Sequence, residues 1–254
     1  MIEIGAQLFS LRAYTQTEAD FARTAERVAQ MGYKTVQLSA IGPIPAKTVK
    51  KICDDAGLRI VLTHNGEMDF LKDIDKLIEK HQIYDCPAVG IGSMPGRYRS
   101  FDYIDAFKQD FEGPAQKLHD AGFKFMYHNH AFEFAKLPDG TQLMDKLLAF
   151  FPADYMGIIA DTYWLQFAGM PVEKWLKEHA DRLSHVHLKD MTINDSENRM
   201  APIGKGNIDF VSILKMLSEN GVTKHALVEL DNSYGESAFD CMKYSFDYLK
   251  SIGY

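Results

Sequence analysis

The sequence predicts a (β/α)8 barrel, an α/β fold in a single domain over residues 1–254, on three observations. Short apolar runs alternate with amphipathic stretches along the whole chain. Eight such strand–helix units fit a length of 254 residues. Histidines and carboxylates collect at the ends of the apolar runs, where a barrel of this kind assembles its site.

The candidate strands are Ile2–Phe9, Thr35–Ser39, Arg59–Thr63, Ala88–Gly92, Lys124–His130, Met156–Asp161, Leu183–Leu188 and Ala226–Leu230. Helical patterns lie between them, with apolar residues three or four apart. Glu18–Met31 carries Phe21, Ala25, Val28 and Met31 on one stripe. Tyr103–Ala121 carries Phe107, Phe111, Ala115 and Leu118, with Gly113-Pro114 expected to kink or break it. Asp209–Asn220 opens on an N-cap and stops at Gly221, and Phe239–Ser251 closes the chain. Gly32, Gly57, Gly122 and Gly221 each fit a helix exit ahead of a strand. A doubly wound sheet ranks second, because no G-x-G-x-x-G follows the first strand. Met191–Asn207 reads as a long irregular loop of the kind that serves function.

A 46% hydrophobic fraction and 25% charged residues suit a chain that buries a large core. The formal charge of -7 argues against nucleic acid as a partner. Cys53, Cys86 and Cys241 form neither a disulfide framework nor zinc spacing, which fits a reducing cytoplasm. The N-terminus lacks a signal-like apolar stretch, and no run is long enough for a membrane span. The expectation is a cytoplasmic protein with a small-molecule partner. Tyr- and Phe-rich surface loops leave room for a homo-oligomer.

The most informative segment is Leu183-Ser-His-Val-His-Leu-Lys-Asp190. As a strand it sets His185, His187 and Lys189 on one face. A core gains nothing from three such groups, since each must find a partner or lose hydration free energy. The H-x-H pattern recurs at His128-Asn129-His130, while Asp161 and Glu229 end other apolar runs. His64 falls at the end of the third strand. A lone strand-end acid is usually a cap, and a lone histidine a hydrogen-bonded wall residue. Their convergence on one rim points instead to a divalent metal. Mixed imidazole and carboxylate ligands suit Mn²⁺, Co²⁺, Mg²⁺ or Zn²⁺, and the absence of thiolates argues against closed structural zinc.

Five pieces, in this order, resemble the sugar phosphate isomerase/epimerase family, whose members have the xylose isomerase-like TIM barrel. They are His128-Asn-His-Ala-Phe-Glu133, Asp161-Thr-Tyr-Trp164, His185-Val-His-Leu-Lys-Asp190, Ile203-Gly-Lys-Gly206 and Val228-Glu229. The resemblance implies one metal held by Glu, Asp, His and Glu from strands five to eight. Asp161, His187 and Glu229 match three of these. For the first the choice falls on Glu133, with His128 or His130 as competitors, because Glu133 has the wrong strand parity and needs a turn or bulge near Ala131. Trp164 stands where relatives often carry a substrate-contacting histidine, and it is read either as a sugar-stacking or as a core side chain.

The implied activity is a metal-dependent isomerase or epimerase of a keto-sugar or sugar phosphate, with Mn²⁺ first choice. It would remove a proton α to a carbonyl and pass through an enediolate. Glu133 and Glu229 would be the proton carriers. Lys189 would steady negative charge or bind a substrate hydroxyl or phosphate, its bland alternative being a salt bridge to Asp190 or another acid. His64, His128, His130, Trp164 and His185 would contact substrate. The alternative is a dehydratase on a keto-sugar or keto-inositol that starts with the same proton removal. Gly204-Lys-Gly206-Asn207 is read as an ordinary turn, the alternative being that its N–H groups hold a phosphate or hydroxyl. Arg97 and Arg99 are read as a solvated loop, or as a cover for an anionic substrate.

Overall fold

A computed structural model describes residues 2–254. Eight parallel strands close into a barrel: β1 (Glu3–Gln7), β2 (Thr35–Leu38), β3 (Arg59–Asn65), β4 (Ala88–Ile91), β5 (Lys124–His128), β6 (Met156–Asp161), β7 (His185–Leu188) and, after a two-stranded insertion, β10 (His225–Val228). β1 completes the circle by pairing with both β2 and β10. The predicted barrel is the observed fold. Inward residues of β3, β5, β6 and β10, among them Leu62, Met126, Ile159 and Leu227, plug its interior. A larger core, including Phe107, Phe111, Leu118 and Phe125, lies between strands and helices.

The helix ends follow local chemistry. Thr17 caps Glu18–Met31 by accepting from Asp20 N, and Gly32 leaves it with φ 114°, a backbone that favours glycine. Asp209 caps Phe210–Asn220 through Ser212 N, and Gly221 ends it at φ 71°. Among the described residues, no helix is long and apolar enough to cross a membrane.

Two expectations need correction. The helix Ile104–Asp120 runs unbroken through Gly113-Pro114. Pro114 removes one backbone donor, but Phe107, Phe111, Ala115 and Leu118 bury the same face on both sides of it, and this burial outweighs the lost bond. Met191–Asn207 is not structureless either. It contains most of an antiparallel hairpin, β8 (Asp190–Asn194) and β9 (Glu197–Ala201). Its turn residues Asp195 and Ser196 have φ 47° and 68°, as a primed two-residue turn requires. Asp-Ser signals that turn more weakly than Asn-Gly, so the sequence concealed it.

Candidate metal centre

β5, β6, β7 and β10 bring His128, Asp161, His187 and Glu229 to one point near the C-terminal end of the barrel. One ligand-capable atom from each lies within 4.8 Å of all the others, and all four side chains are buried. Strand register explains part of this meeting. Asp161 pairs directly with His187, and Glu229 N donates to Leu188 O.

Both imidazoles are oriented from behind. His128 Nδ1 lies 2.8 Å from Gly92 O. A carbonyl only accepts, so Nδ1 carries a proton; Nε2, 3.2 Å from Asp161 Oδ2, donates to that carboxylate when protonated and offers a lone pair to a metal ion when not. His187 Nε2 donates to Gln37 Oε1 at 2.6 Å. Its Nδ1 then stands 2.9 Å from Glu229 Oε2, off the line a hydrogen bond requires, and has no partner. A lone pair set against a carboxylate oxygen is repulsive unless a cation lies between them. Two imidazole nitrogens and two carboxylates aimed at one point fit a divalent ion. The outer hydrogen bonds that the rings donate to Gly92 and Gln37 are of the kind that fixes metal-binding histidines.

Charge leads to the same fit. Lys189, 1% exposed, places Nζ 3.4 Å from Asp161 Oδ2, 3.3 Å from Glu229 Oε2 and 2.6 Å from Asp231 Oδ2. Three carboxylates against one ammonium leave a negative centre that a divalent ion balances. Burial would raise the Asp161 and Glu229 pKa values, but Lys189 overrides it, with His128 beside Asp161 and His187 beside Glu229, and holds both low. Burial would lower the Lys189 pKa, and the three carboxylates instead raise it. Burial and the neighbouring Glu229 push Asp231 up to about 6. Burial alone would discharge His128, yet Asp161 and Glu229 raise its pKa, so a metal ion bound here would take the place of a proton on Nε2.

The remaining site candidates divide. His64 faces the site: its ring centre is 5.2 Å from that of His128 and 5.6 Å from that of His187. Its Nδ1 meets Ser39 Oγ at 3.2 Å, while Nε2 is buried without a partner. Gly92 makes room for it, because a Cβ there would sit 3.0 Å from His64 Nδ1. His130 meets His128 edge-on at 4.8 Å and tilts against Trp164 at 5.1 Å, and burial pushes its pKa down to about 3. Trp164 is half-buried, with Lys189 Nζ 5.4 Å from its ring centre. Its backbone N–H donates to Asp161 Oδ1. It is therefore both packed and beside the site.

Glu133 and His185 do not join them. A short turn, Phe132–Phe134, swings Glu133 back beneath β5. There its carboxylate accepts from Tyr127 Oη at 2.7 Å and from His130 N at 2.9 Å. The chain does turn near Ala131, but it aims Glu133 away from the cluster, and β5 contributes His128 in its place. Burial raises the Glu133 pKa to about 7. His185 has the expected parity but sits two residues earlier on β7, one layer down the barrel, where Nε2 donates to Val61 O at 3.0 Å.

Other segments are committed elsewhere. The Asp190 carboxylate accepts from the backbone N–H groups of Met191, Gly204, Gly206 and Ile208. The glycine turn 204–207 thus already holds an internal anion, and the phosphate reading fails there. Lys189 consequently pairs with acids other than Asp190. Arg97 pairs with Glu67 and Asp110, and Arg99 bonds Met94 O and Ser93 Oγ.

Sequence reasoning missed Gln37, Asn129 and Asp231. Asn129 Oδ1 accepts from Asp161 N and fixes that strand end. Asp231 shares the parity of Glu229 two residues earlier, and Gln37 is an isolated amide in Thr35-Val-Gln-Leu38. Both signals were present in the sequence. A cavity of about 390 Å³ opens above the cluster, lined by His64, His128, His130, Lys189, Glu229 and Asp231 among others. That is room for a small ligand.

Residues 25–252 match the model of the xylose isomerase-like TIM barrel family. The chain belongs to this family. An inosose dehydratase of Clostridium botulinum is 28% identical over 127 residues, covering 44% of this chain and 42% of that protein. The chain thus spans under half the length of such relatives. The rhizopine catabolism protein MocC of Rhizobium meliloti is 21% identical over 239 residues, 80% of this chain and 72% of that protein. Among solved structures, a sugar phosphate isomerase/epimerase from Parabacteroides distasonis superposes with a TM-score of 0.81 at 24% identity, covering 98% of both chains. An L-ribulose 3-epimerase gives 0.73 at 14% identity, over 99% of this chain and 94% of that one. At such identities these two structures bear on the fold alone.

Proposed function

We propose that this chain is a divalent-metal-dependent isomerase or epimerase of a small keto-sugar, acting by proton removal α to a carbonyl. The observation that carries this reading is the convergence of His128, Asp161, His187 and Glu229, with one ligand-capable atom of each within 4.8 Å of all the others. His128, Asp161, His187 and Glu229 would hold the ion. Two imidazoles in the set favour Mn²⁺, Co²⁺ or Zn²⁺ over Mg²⁺, and Mn²⁺ remains the first choice. When bound, the ion supplies Lewis acidity that polarises a hydroxyketone and acidifies the adjacent C–H.

The chain's own groups handle the proton. Glu229 faces both cluster and cavity, and accepts it on a carboxylate oxygen. Lys189 Nζ, held between Glu229 and Asp231, offsets negative charge growing on the substrate oxygen. Asp231 Oδ2, 2.6 Å from Lys189 Nζ, can take a proton from it or return one. His64 Nε2 and His130 Nδ1, both buried without partners, offer hydrogen bonds to sugar hydroxyls. Trp164 forms a wall beside them.

Dehydration of a keto-sugar or keto-inositol is the second reading. It is favoured by the withdrawal of Glu133, which removes one of the two carboxylates an epimerisation was expected to use, and by the similarity to inosose dehydratase. The test incubates Mn²⁺-loaded protein with ketoses and inososes in D₂O. Epimerisation yields products carrying solvent deuterium with no water lost. A product that lacks the elements of one water selects the dehydratase. Protein that takes up no metal defeats both readings.

A further inference from the structure

A second cavity, of about 480 Å³, lies at the opposite, N-terminal end of the barrel. It reaches the lower interior through Val61, Met126 and His185, and Ile60, Ala88 and Pro87 extend its apolar wall. Cations surround it. Lys50 and Arg59 are neutralised by Asp54 and Glu3. Lys124 and the exposed Lys224 are not: among the described residues, neither ammonium forms an ion pair within 4.0 Å. Lys224 Nζ bonds only Gly221 O. Lys124 is half-buried, and burial pulls its pKa down; Asp154 and Asp181 act on it only from farther away. His225 adds a buried Nδ1 with no hydrogen bond, 3.3 Å from Glu3 Oε2. The exposed Asp85 stands at the mouth.

A half-buried ammonium without a counter-ion, set over an apolar wall, suits a ligand with the opposite charge and a matching body. The chain as a whole carries a charge of -7, so this local excess of cations runs against its average. We propose that the N-terminal cavity binds a small organic carboxylate with an apolar body, its carboxylate at Lys124 and Lys224 and its body against Ile60, Ala88 and Met126. The volume lies within the range of small-molecule sites, roughly 300–1,000 Å³. His185 belongs to this cavity rather than to the metal centre, so it belongs to a different site from the one its H-x-H motif suggested. The proposal is independent of the reaction catalysed at the other end.

Benzoate is the probe, titrated calorimetrically into the Mn²⁺-loaded 254-residue chain at pH 7. Saturable binding in the millimolar range or tighter is expected. Benzyl alcohol, which keeps the body and lacks the charge, should bind at least tenfold more weakly, as should inorganic phosphate, which lacks the body. Lys124→Met, or Lys224→Met should the first fail to fold, should weaken benzoate at least tenfold without lowering the melting temperature. Benzoate should also shift the ¹³C-methyl resonance of Met126, assigned by its loss in Met126→Leu. Glu229→Gln, altered at the other end, should bind benzoate like wild type. No saturation, equal binding of benzyl alcohol or phosphate, or loss of binding in Glu229→Gln rather than in the lysine variants would overturn the proposal.

Discussion

Glu133 and Glu229 are both buried carboxylates near the end of a barrel strand, yet their surroundings give them different work. Glu229 faces His187 and Lys189; Glu133 faces Tyr127 Oη and a backbone N–H. Glu229→Gln should therefore lose bound metal and turnover together, whereas Glu133→Gln should keep its metal and lose under tenfold in rate. Metal analysis by mass spectrometry on both variants decides it. Gln37→Leu should weaken metal about 10- to 100-fold, because it frees the His187 ring from its outer bond; competition with a chelator measures this. Asp161, His187 and Glu229 could be singled out because strand-end acids and an H-x-H pattern, each commonplace alone, converge on one rim of the barrel. The fifth-strand position could not, since parity cannot say where a chain bends after a strand. His185 shows the complementary error: alternation gives the face of a strand but not the depth along it.

Individual elements were legible where periodicity was strong and obscure where packing overrode a local signal. Pro114 in the helix Ile104–Asp120 and the Asp195-Ser196 turn are both of the second kind. The helix Ile74–Tyr84 carries a histidine that the sequence left without a role. His81 lies wholly buried against β3, bonded to Thr63 Oγ1 at 2.7 Å and to Leu77 O at 2.8 Å. Burial pushes its pKa down to about 4. The neutral ring is thus the folded form, while the unfolded chain takes up a proton near pH 6.5. Stability from this group is complete above about pH 6.5 and declines as pH falls toward 4, by about 3 kcal/mol at most. Urea unfolding across that window should show the decline in wild type and a flatter profile in His81→Leu.

The barrel was legible as a whole because eight alternating units, helix-exit glycines and strand-end acids all point to one architecture. A fold that gathers ligands from four strands should be stabilised by what they hold. Saturating Mn²⁺, at about 100 times its dissociation constant, adds about 2.7 kcal/mol. It should therefore raise the melting temperature by about 5 °C or more, and EDTA should reverse the gain. Unchanged melting in both would contradict the metal centre. Closure of the circle also has an order in time. Residues 3–6 pair with residues 225–228, so on the ribosome the first strand waits with an open edge until nearly all the chain has emerged. The four cluster residues arrive at positions 128, 161, 187 and 229, and the last belongs to the segment that shuts the barrel. The complete cluster and the closed barrel are thus products of one late event, and a nascent chain halted before β10 has neither.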